Sequence, residues 1–257
     1  MGKSHDPCTK PKGDIRICID PQQLNKAIKR EHFQLPTLEE LIMEMKGARF
    51  FTKLDASTGF WQIPLDEPSS KLCTFATPFG RYRFQRLPFG IKSAPEVFQK
   101  IIHRHFGDLP GVVNYEDDIC VWSSTLEEHK VRLRKVLQRA QECKLKFNKA
   151  KCDFAKPTLQ YLGHILSHDG LKVDGSKVSA IKNMPSPQNK KDLMRFLGMV
   201  TYLTKFIPNM SEATGPLREL LAKDSEWQWL PNHEEATMKI KGVLSNTPVL
   251  AYFDVDC

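Results

Sequence analysis

Apolar and polar residues alternate over 15–19, and other short runs are rich in aromatic and β-branched residues; both patterns predict β-strands. The segments lie at 15–19, 50–54, 72–88, 112–122 and 159–166. Elsewhere apolar residues recur every three or four positions, which predicts amphipathic helices that begin near Thr37, Ser93 and Thr125. The first two-thirds of the chain is therefore expected to mix strands and helices.

Two of the predicted helices carry a capping signal. Thr37 is followed three residues later by Glu40, and Thr125 by Glu128, which is the spacing of a capping box. We expect the first helix to run to Gly47. The apolar face of the helix after Thr125 is predicted to comprise Leu133, Val136, Leu137 and Ala140.

Carboxylates lie at the ends of predicted strands. The strand over 50–54 ends on Asp55, and Glu116, Asp117 and Asp118 lie between the two arms of a predicted hairpin. Carboxylate oxygens are the ligands that Mg²⁺ prefers, and phosphoryl transfer uses two such ions. If these strands are neighbours, the acids form a metal site; otherwise Asp55 caps a turn and the hairpin tip is a solvated loop. Spacing alone leaves both interpretations open.

The pattern becomes almost wholly helical after Asp169, which predicts a domain boundary near residue 170. The helical part carries a cluster of basic residues that either contact phosphate groups or form a solvated helix face. They are Lys190, Lys191, Arg195 and Lys205.

Composition narrows the class of protein. The 257 residues include 38 Lys and Arg against 30 Asp and Glu, which gives a net charge of +8. This positive charge modestly favours a polyanionic binding partner. We expect neither a transmembrane helix nor a signal peptide, and so an intracellular protein. The seven cysteines form no Cys-x-x-Cys pair, so a disulfide framework and a cysteine-rich zinc site are not expected.

Four motifs occur in the order and rough spacing of reverse transcriptase polymerase motifs. They are Leu54-Asp55-Ala56-Ser57-Thr58-Gly59-Phe60, Leu87-Pro88-Phe89-Gly90-Ile91-Lys92-Ser93-Ala94-Pro95, Tyr115-Glu116-Asp117-Asp118 and Tyr161-Leu162-Gly163-His164. The sequence resembles the reverse transcriptase region of a gypsy-type LTR retrotransposon Pol polyprotein from about Asp14 to Ala251. The resemblance implies an α+β right-hand polymerase with partial fingers, an antiparallel-sheet palm and a helical thumb. It divides the chain into fingers (1–50), palm with an inserted fingers hairpin (51–169), thumb (170–222) and a connection (223–257).

The resemblance also implies roles for individual residues. Asp55, Asp117 and Asp118 would be catalytic and would hold two Mg²⁺ ions, with Mn²⁺ as a possible substitute. Nucleotide-binding positions would be Arg16, Lys12 or Lys10, Phe60, Phe89 and Gly90. Leu162 and Gly163 would form the primer grip, and Lys151 would be a proton donor to pyrophosphate. Without the family match, Phe60 is equally well interpreted as a core aromatic residue, and Lys12 and Lys151 are interpreted as solvated surface lysines.

The implied function is RNA-directed DNA polymerisation, which adds deoxynucleotides from dNTPs to a primer on an RNA or DNA template. The resemblance implies that this takes place in a cytoplasmic particle or in the nucleus. The alternative is an inactive retroelement remnant that at most binds nucleic acid. Glu116 departs from the family pattern, which usually has an apolar or small residue there, and we expect slower polymerisation than with Glu116→Val. Family members carry more fingers sequence and a ribonuclease H domain, so we expect a truncated region without ribonuclease H activity.

Overall fold

The computed structural model describes residues 8–9, 15–206, 209–222 and 225–245. By its internal contacts the chain divides into two compact units, Met1–Pro157 and Thr158–Cys257. No helix in these described ranges combines the length and the apolar character needed to cross a membrane.

The first unit alternates strands and helices along the chain. Its strands are β1 (Cys8–Thr9), β2 (Ile15–Arg16), β3 (Phe50–Asp55), β4 (Thr74–Thr77), β5 (Gly80–Arg83), β6 (Val112–Tyr115), β7 (Asp118–Ser123) and β8 (Asp153–Lys156). Its helices are α1 (Gln22–Ala27), α2 (Leu38–Met43), α3 (Glu67–Leu72), α4 (Ala94–Phe106) and α5 (Leu126–Glu142), with 3₁₀ turns at Gly59–Gln62 and Lys149–Lys151.

A four-stranded antiparallel sheet with the order β6-β7-β3-β8 forms the centre of this unit. Leu54 of β3 and its partner Ile119 of β7 are fully buried in one hydrophobic cluster with Phe98 of α4 and Val136 of α5. Successive residues of a strand point to opposite faces. The neighbouring positions on β3 and β7 therefore belong to the face that helices α4 and α5 do not cover.

Helix α2 begins as predicted and ends earlier. The Thr37 hydroxyl accepts a hydrogen bond from the Glu40 amide at 3.3 Å, and the Glu40 carboxylate accepts one from the Thr37 amide at 2.7 Å, which completes the capping box. The helix ends at Met43 rather than Gly47, because the next residues form tight turns in which the Met45 amide bonds to the Ile42 carbonyl.

The predicted apolar face of α5 is wrong at one position. Val136 and Ala140 are buried, but the Leu137 side chain is 42% exposed. His129 points inward instead and is 1% exposed, with its two ring nitrogens 2.7 Å from the Thr52 hydroxyl and 2.9 Å from the Ser123 hydroxyl. The helix can bury this polar ring because both nitrogens find partners on the sheet.

The second unit is a small sheet followed by helices. It comprises β9 (Leu159–Tyr161), β10 (His164–Ser167), β11 (Gly170–Val173), α6 (Gly175–Lys182), α7 (Lys190–Tyr202), α8 (Met210–Glu219) and α9 (Pro231–Ser245). The strands are antiparallel in the order β11-β10-β9. Leu193, Phe196, Val200, Leu217 and Ile240 are fully buried in its core.

The contact-based division differs from the expected boundary near residue 170. Residues 158–169 belong to the second unit, because β9 and β10 pair with β11 on the far side of that boundary. The four-part division into fingers, palm, thumb and connection describes function rather than compactness, and it stays a prediction.

Candidate active site

The register of the central sheet brings two of the predicted carboxylates together. Asp55, the last residue of β3, lies directly opposite Asp118, the first residue of β7. Side chains of directly opposite residues project on the same face, with Cβ atoms about 5 Å apart. Asp118 therefore belongs to the strand and not to the turn in which the sequence analysis placed it.

Asp117 reaches the same end of the sheet from a two-residue turn. Tyr115 pairs with Asp118, so only Glu116 and Asp117 connect β6 to β7. The Asp117 carbonyl accepts a hydrogen bond from the Ala56 amide at 2.7 Å, which ties the turn to the residue after Asp55. All three predicted catalytic carboxylates are thus attached to one short stretch of paired backbone.

A glycine makes room for the Asp117 side chain. A Cβ atom on Gly59 would overlap Asp117 Oδ1, would lie 2.9 Å from its Cγ, and would approach the Phe98 ring to 3.1 Å. Any side chain at this position would therefore displace the carboxylate or the aromatic ring.

The site favours a positive ion. Burial, followed by the charges of Asp55, Glu116 and Asp118, raises the pKa of Asp117 to about 6. Burial also raises the pKa of Asp118, although the Lys53 ammonium opposes this shift. Ionising these carboxylates therefore costs more in the protein than in water, and a bound cation would offset that cost.

The donor set fits a hard divalent cation. Every candidate ligand atom is a carboxylate oxygen, and Asp117 Oδ1 is buried without a hydrogen-bond partner among the described residues. No three His, Cys, Asp or Glu side chains in the described part of the chain are arranged as a formed metal site. Lys151 Nζ instead forms an ion pair with Asp55 Oδ2 at 3.0 Å. This places the predicted proton donor beside a predicted metal ligand, with 63% of its side chain exposed.

Aromatic rings lie next to the carboxylates. The Phe60 ring follows Gly59 in the 3₁₀ turn and packs against Phe89 and Phe98, with centroid distances of 5.0 Å and 5.7 Å. Phe60 and Phe89, predicted separately as nucleotide contacts, are thus neighbours. Phe60 is half-buried and also packs against the hydrophobic core, and its role as a nucleotide contact stays a prediction.

Gly90, the other predicted nucleotide contact of this loop, is held in place by contacts with Ile19 and Asn25 in the N-terminal part of the unit. Its φ is +105°, and a Cβ atom would overlap the Ile19 carbonyl oxygen. The Ile19 amide donates to the Phe89 carbonyl at 3.0 Å. Asn25 uses both ends of its amide, donating to the Gly90 carbonyl at 2.8 Å and accepting from the Lys92 amide at 2.8 Å.

Two further amide side chains hold the loops of the site, and the sequence analysis assigned neither a role. Gln62 donates to the Ser57 and Lys146 carbonyls at 2.7 and 2.9 Å and accepts from the Lys146 amide at 2.7 Å. Gln99 of α4 accepts from the Glu116 amide at 2.7 Å. A neutral amide gives no signal in hydrophobic periodicity or charge, and only its distance from a motif could have pointed to it.

The predicted primer grip is a second tight turn, in the second unit. Tyr161 pairs with His164, and the intervening residues Leu162 and Gly163 have φ values of +48° and +76°. The Tyr202 hydroxyl donates to the Leu162 carbonyl at 2.9 Å. The Lys177 ammonium lies 3.8 Å from the centroid of the Tyr202 ring, which is a cation–π contact.

The remaining predicted contacts are partly outside the described residues. Arg16 is placed as a strand residue paired with Cys8, but its side chain is not described. Lys10 and Lys12 lie outside the described residues, as does the side chain of Lys205.

The other basic residues of the second unit differ among themselves. The Lys190 ammonium donates to the Ala222 carbonyl at 2.9 Å, so this side chain connects α7 to the residues that follow α8. Lys191 and Arg195 are exposed on α7.

Sequence comparison identifies the family. Residues 8–166, more than half of the chain, match the family described as reverse transcriptase (RNA-dependent DNA polymerase). The chain belongs to this reverse transcriptase family. It is 35% identical over 247 residues to the Transposon Tf2-3 polyprotein of Schizosaccharomyces pombe, and 34% identical to the Tf2-7 polyprotein of the same organism. These alignments cover 95% of this chain and 18% of each relative, so the chain spans less than a fifth of their length.

Solved structures confirm the predicted polymerase fold. A foamy viral protease-reverse transcriptase in complex with double-stranded DNA has a TM-score of 0.91 and 25% identity, and the match covers 100% of this chain and 46% of that chain. The same viral protein in complex with an RNA/DNA hybrid has a TM-score of 0.85 and 25% identity, over 97% of this chain and 34% of that chain. The predicted likeness to a retrotransposon Pol region is confirmed as well.

Proposed function

We propose that this chain is an RNA-directed DNA polymerase that adds deoxynucleotides to a primer 3′-hydroxyl. One observation carries the proposal: the strand register places Asp55 opposite Asp118, and the adjoining turn adds Asp117, whose buried Oδ1 has no hydrogen-bond partner in the described part of the chain. Three carboxylates on one edge of a sheet suit a phosphoryl transfer that needs divalent cations. The matched family has this activity in its description.

Asp55, Asp117 and Asp118 would hold two Mg²⁺ ions. When bound, such ions activate the attacking hydroxyl and neutralise charge on the phosphoryl and leaving oxygens. The chain's own residues orient the reactants. Gly59 leaves room for the Asp117 carboxylate, and Phe60 and Phe89 form an apolar surface beside it for the sugar and base of a dNTP.

The Lys151 ammonium has a positioning role in this proposal. It neutralises Asp55 and holds the carboxylate near the sheet edge until a cation takes its place. Because its side chain is largely exposed, it could then turn toward the phosphate groups of the nucleotide. This extends the predicted proton-donor role rather than replacing it.

The proposed partner is a primer annealed to an RNA or DNA template. The foamy viral proteins of the same fold were solved with double-stranded DNA and with an RNA/DNA hybrid. In the second unit, the turn at Leu162 and Gly163 is proposed to contact the primer, with Lys191 and Arg195 on phosphates. Arg16 and Lys12 are proposed to bind the triphosphate.

Primer extension on an RNA template with dNTPs and Mg²⁺ tests the proposal. The unmodified chain should extend the primer, and Asp117→Asn should lower the rate by about 10³-fold, since it removes a charged ligand but keeps the shape of the side chain. Glu142→Gln is the matched control, because it removes a carboxylate whose side chain is 71% exposed at the end of α5. Equal rates for Asp117→Asn and the control would contradict the assigned site.

A second candidate, an inactive remnant that only binds nucleic acid, is favoured by Glu116. This residue adds a carboxylate next to Asp117 and contributes to its raised pKa. The remnant would bind primer-template tightly and give no extension with either Mg²⁺ or Mn²⁺. The same assay, run beside a binding measurement on the same primer-template, separates the two candidates.

A further inference from the structure

Gln99 is a buried polar residue with two backbone partners on one hairpin. Its side chain is 1% exposed on helix α4. Its Oε1 accepts from the Glu116 amide at 2.7 Å, and its Nε2 donates to the Asn114 carbonyl at 3.0 Å. The partners fix the orientation of the amide, because a backbone N–H can only donate and a carbonyl can only accept.

The turn that Gln99 contacts is not one that its own residues favour. Glu116 has a φ of +47°, in the left-handed region that residues other than Gly, Asn and Asp rarely adopt. A two-residue hairpin turn normally uses Gly or Asn at such a position. The hydrogen bond from the Glu116 amide to Gln99 is therefore an external constraint that stabilises the strained residue.

The same helix also supports the other side of the carboxylate. Phe98, next to Gln99, packs against Phe60 and lies where any side chain at Gly59 would meet it. Consecutive residues of α4 thus contact the two backbone segments that enclose the Asp117 side chain.

We propose that Gln99 is a positioning residue, which fixes the Glu116–Asp117 turn and so holds the Asp117 carboxylate at the edge of the sheet. Its effect on catalysis rests on the polymerase function proposed above. Its effect on the turn does not, because the contacts lie within the protein alone. Gln99 does not touch the reactants; it acts through the backbone of Glu116.

The principal test is Gln99→Met, which keeps the length of the side chain and removes both hydrogen bonds. Gln99 borders a cavity of about 370 Å³, so the Met side chain can be accommodated. Gln99→Glu is the conservative variant, because it keeps an acceptor for the Glu116 amide. Ile102→Ala and Ile102→Val are matched controls: Ile102 is buried on the same helix and packs in the core beneath the sheet.

The first readout is amide hydrogen exchange of the segment 112–118 in metal-free protein. Gln99→Met should accelerate exchange there about tenfold, and Gln99→Glu by less. The Ile102 variants, compared at equal thermal stability, should leave this segment at its unmodified rate relative to the rest of the sheet. If Gln99→Met does not fold, Gln99→Leu, which also lacks both hydrogen-bonding groups, is measured instead: faster exchange of this segment supports the proposal, and an unchanged rate overturns it.

The second readout is steady-state primer extension. Gln99→Met should lower kcat about 30-fold and leave the Kd for primer-template within about twofold, because binding surfaces away from the turn are untouched. Rates that follow thermal stability alone, with Gln99→Met equal to the Ile102 controls, would overturn the positioning role. If the unmodified chain shows no extension, the polymerase proposal fails, and the exchange experiment still decides whether Gln99 fixes the turn.

Discussion

Two hairpin turns, one in each unit, accommodate residues with a positive φ in different ways. Both have two residues, and both are held by a side chain from a helix: Gln99 for the turn at Glu116, and Tyr202 for the turn at Leu162. In the second turn both φ values are positive and Gly163 takes one of them, as in a type I′ turn. In the first, a glutamate takes the positive φ and no glycine is present.

The difference follows from what each turn presents. The second turn has no side chain that must be placed at a site, so glycine can take the positive φ without strain and leave the backbone accessible. The first turn must carry a carboxylate at Asp117, so the space is provided by Gly59 on the facing segment and the conformation by Gln99. The Asp117 turn thus depends on neighbouring residues both for the space of its side chain and for its backbone conformation.

Among the substitutions that test this contrast between the two turns, the largest effect is expected from filling the space that Gly59 leaves. Gly59→Ala should lower primer extension about 100-fold, because the new methyl group overlaps Asp117 Oδ1 and displaces the carboxylate. Primer-template affinity should stay within about twofold, which a filter-binding titration measures.

Gly198→Ala is the matched control for that substitution. Gly198 lies within α7 and an added Cβ would meet nothing within 4 Å, so this variant should fold at least as well as the unmodified chain. Wild-type extension by Gly59→Ala would show that the carboxylate does not depend on this space, and would remove half of the contrast between the two turns.

Local patterns predict the positions of the acids but not their supporting residues. Short apolar runs rich in aromatic and β-branched residues place Asp55 and the Glu116–Asp118 segment at strand ends, and the structure agrees. The exact opposition of Asp55 and Asp118 depends on pairing between distant strands, which no local period encodes.

The amide residues and the face of α5 show the same limit. Gln99 and Gln62 bond to backbone groups whose positions exist only in the folded chain. His129 is buried, and Leu137 exposed, because partners on the sheet satisfy the imidazole. Apolar periodicity alone therefore placed the leucine inside and gave the histidine no role.

A pH titration sharpens the electrostatic side of the contrast, because only the first of these two turns carries a partly buried acid. The pKa of Asp117 is about 6 in the fold and near 3.8 when exposed. The folded state therefore binds the proton more tightly, and the unfolding free energy of metal-free protein should fall as pH rises from 4 to 6. Asp117→Asn should remove this loss and stabilise the protein by about 1 kcal/mol at pH 7.5, after allowance for solvent screening.

The measurement is thermal unfolding in chelator at pH 3.5 and pH 7.5. The two proteins should unfold alike at the lower pH and differ at the higher one. Added Mg²⁺ should stabilise the unmodified chain alone, and less so below pH 6, where the proton competes with the cation. Equal curves at both pH values would mean that Asp117 is not destabilised by its neighbours.

Substitutions of Glu116 separate the effect of its charge from the effect of its backbone conformation in the first turn. The expectation that Glu116→Val polymerises faster overlooks the φ of +47°, which strains a β-branched residue. Glu116→Asn tolerates this φ and removes the charge that helps to raise the pKa of Asp117. We expect about threefold faster extension at limiting Mg²⁺ for Glu116→Asn, and slower extension for Glu116→Val than for Glu116→Asn. An unmodified chain as fast as Glu116→Asn would show that the extra carboxylate does not impair the site.

The smallest effect is expected in the second turn, where glycine already relieves the strain. Tyr202→Phe removes the hydrogen bond to the Leu162 carbonyl but keeps the ring, which stacks on His164 at a centroid distance of 5.1 Å and carries the Lys177 contact. Because the Tyr202 side chain is 40% exposed, water can replace the lost donor, and the unfolding free energy should fall by only about 0.5 kcal/mol. Amide exchange of the segment 159–166 should change by less than about threefold, against the tenfold expected at 112–118 for Gln99→Met. Equal acceleration in the two hairpins would mean that Gly163 confers no stability of its own, since both turns would then depend equally on a helix side chain.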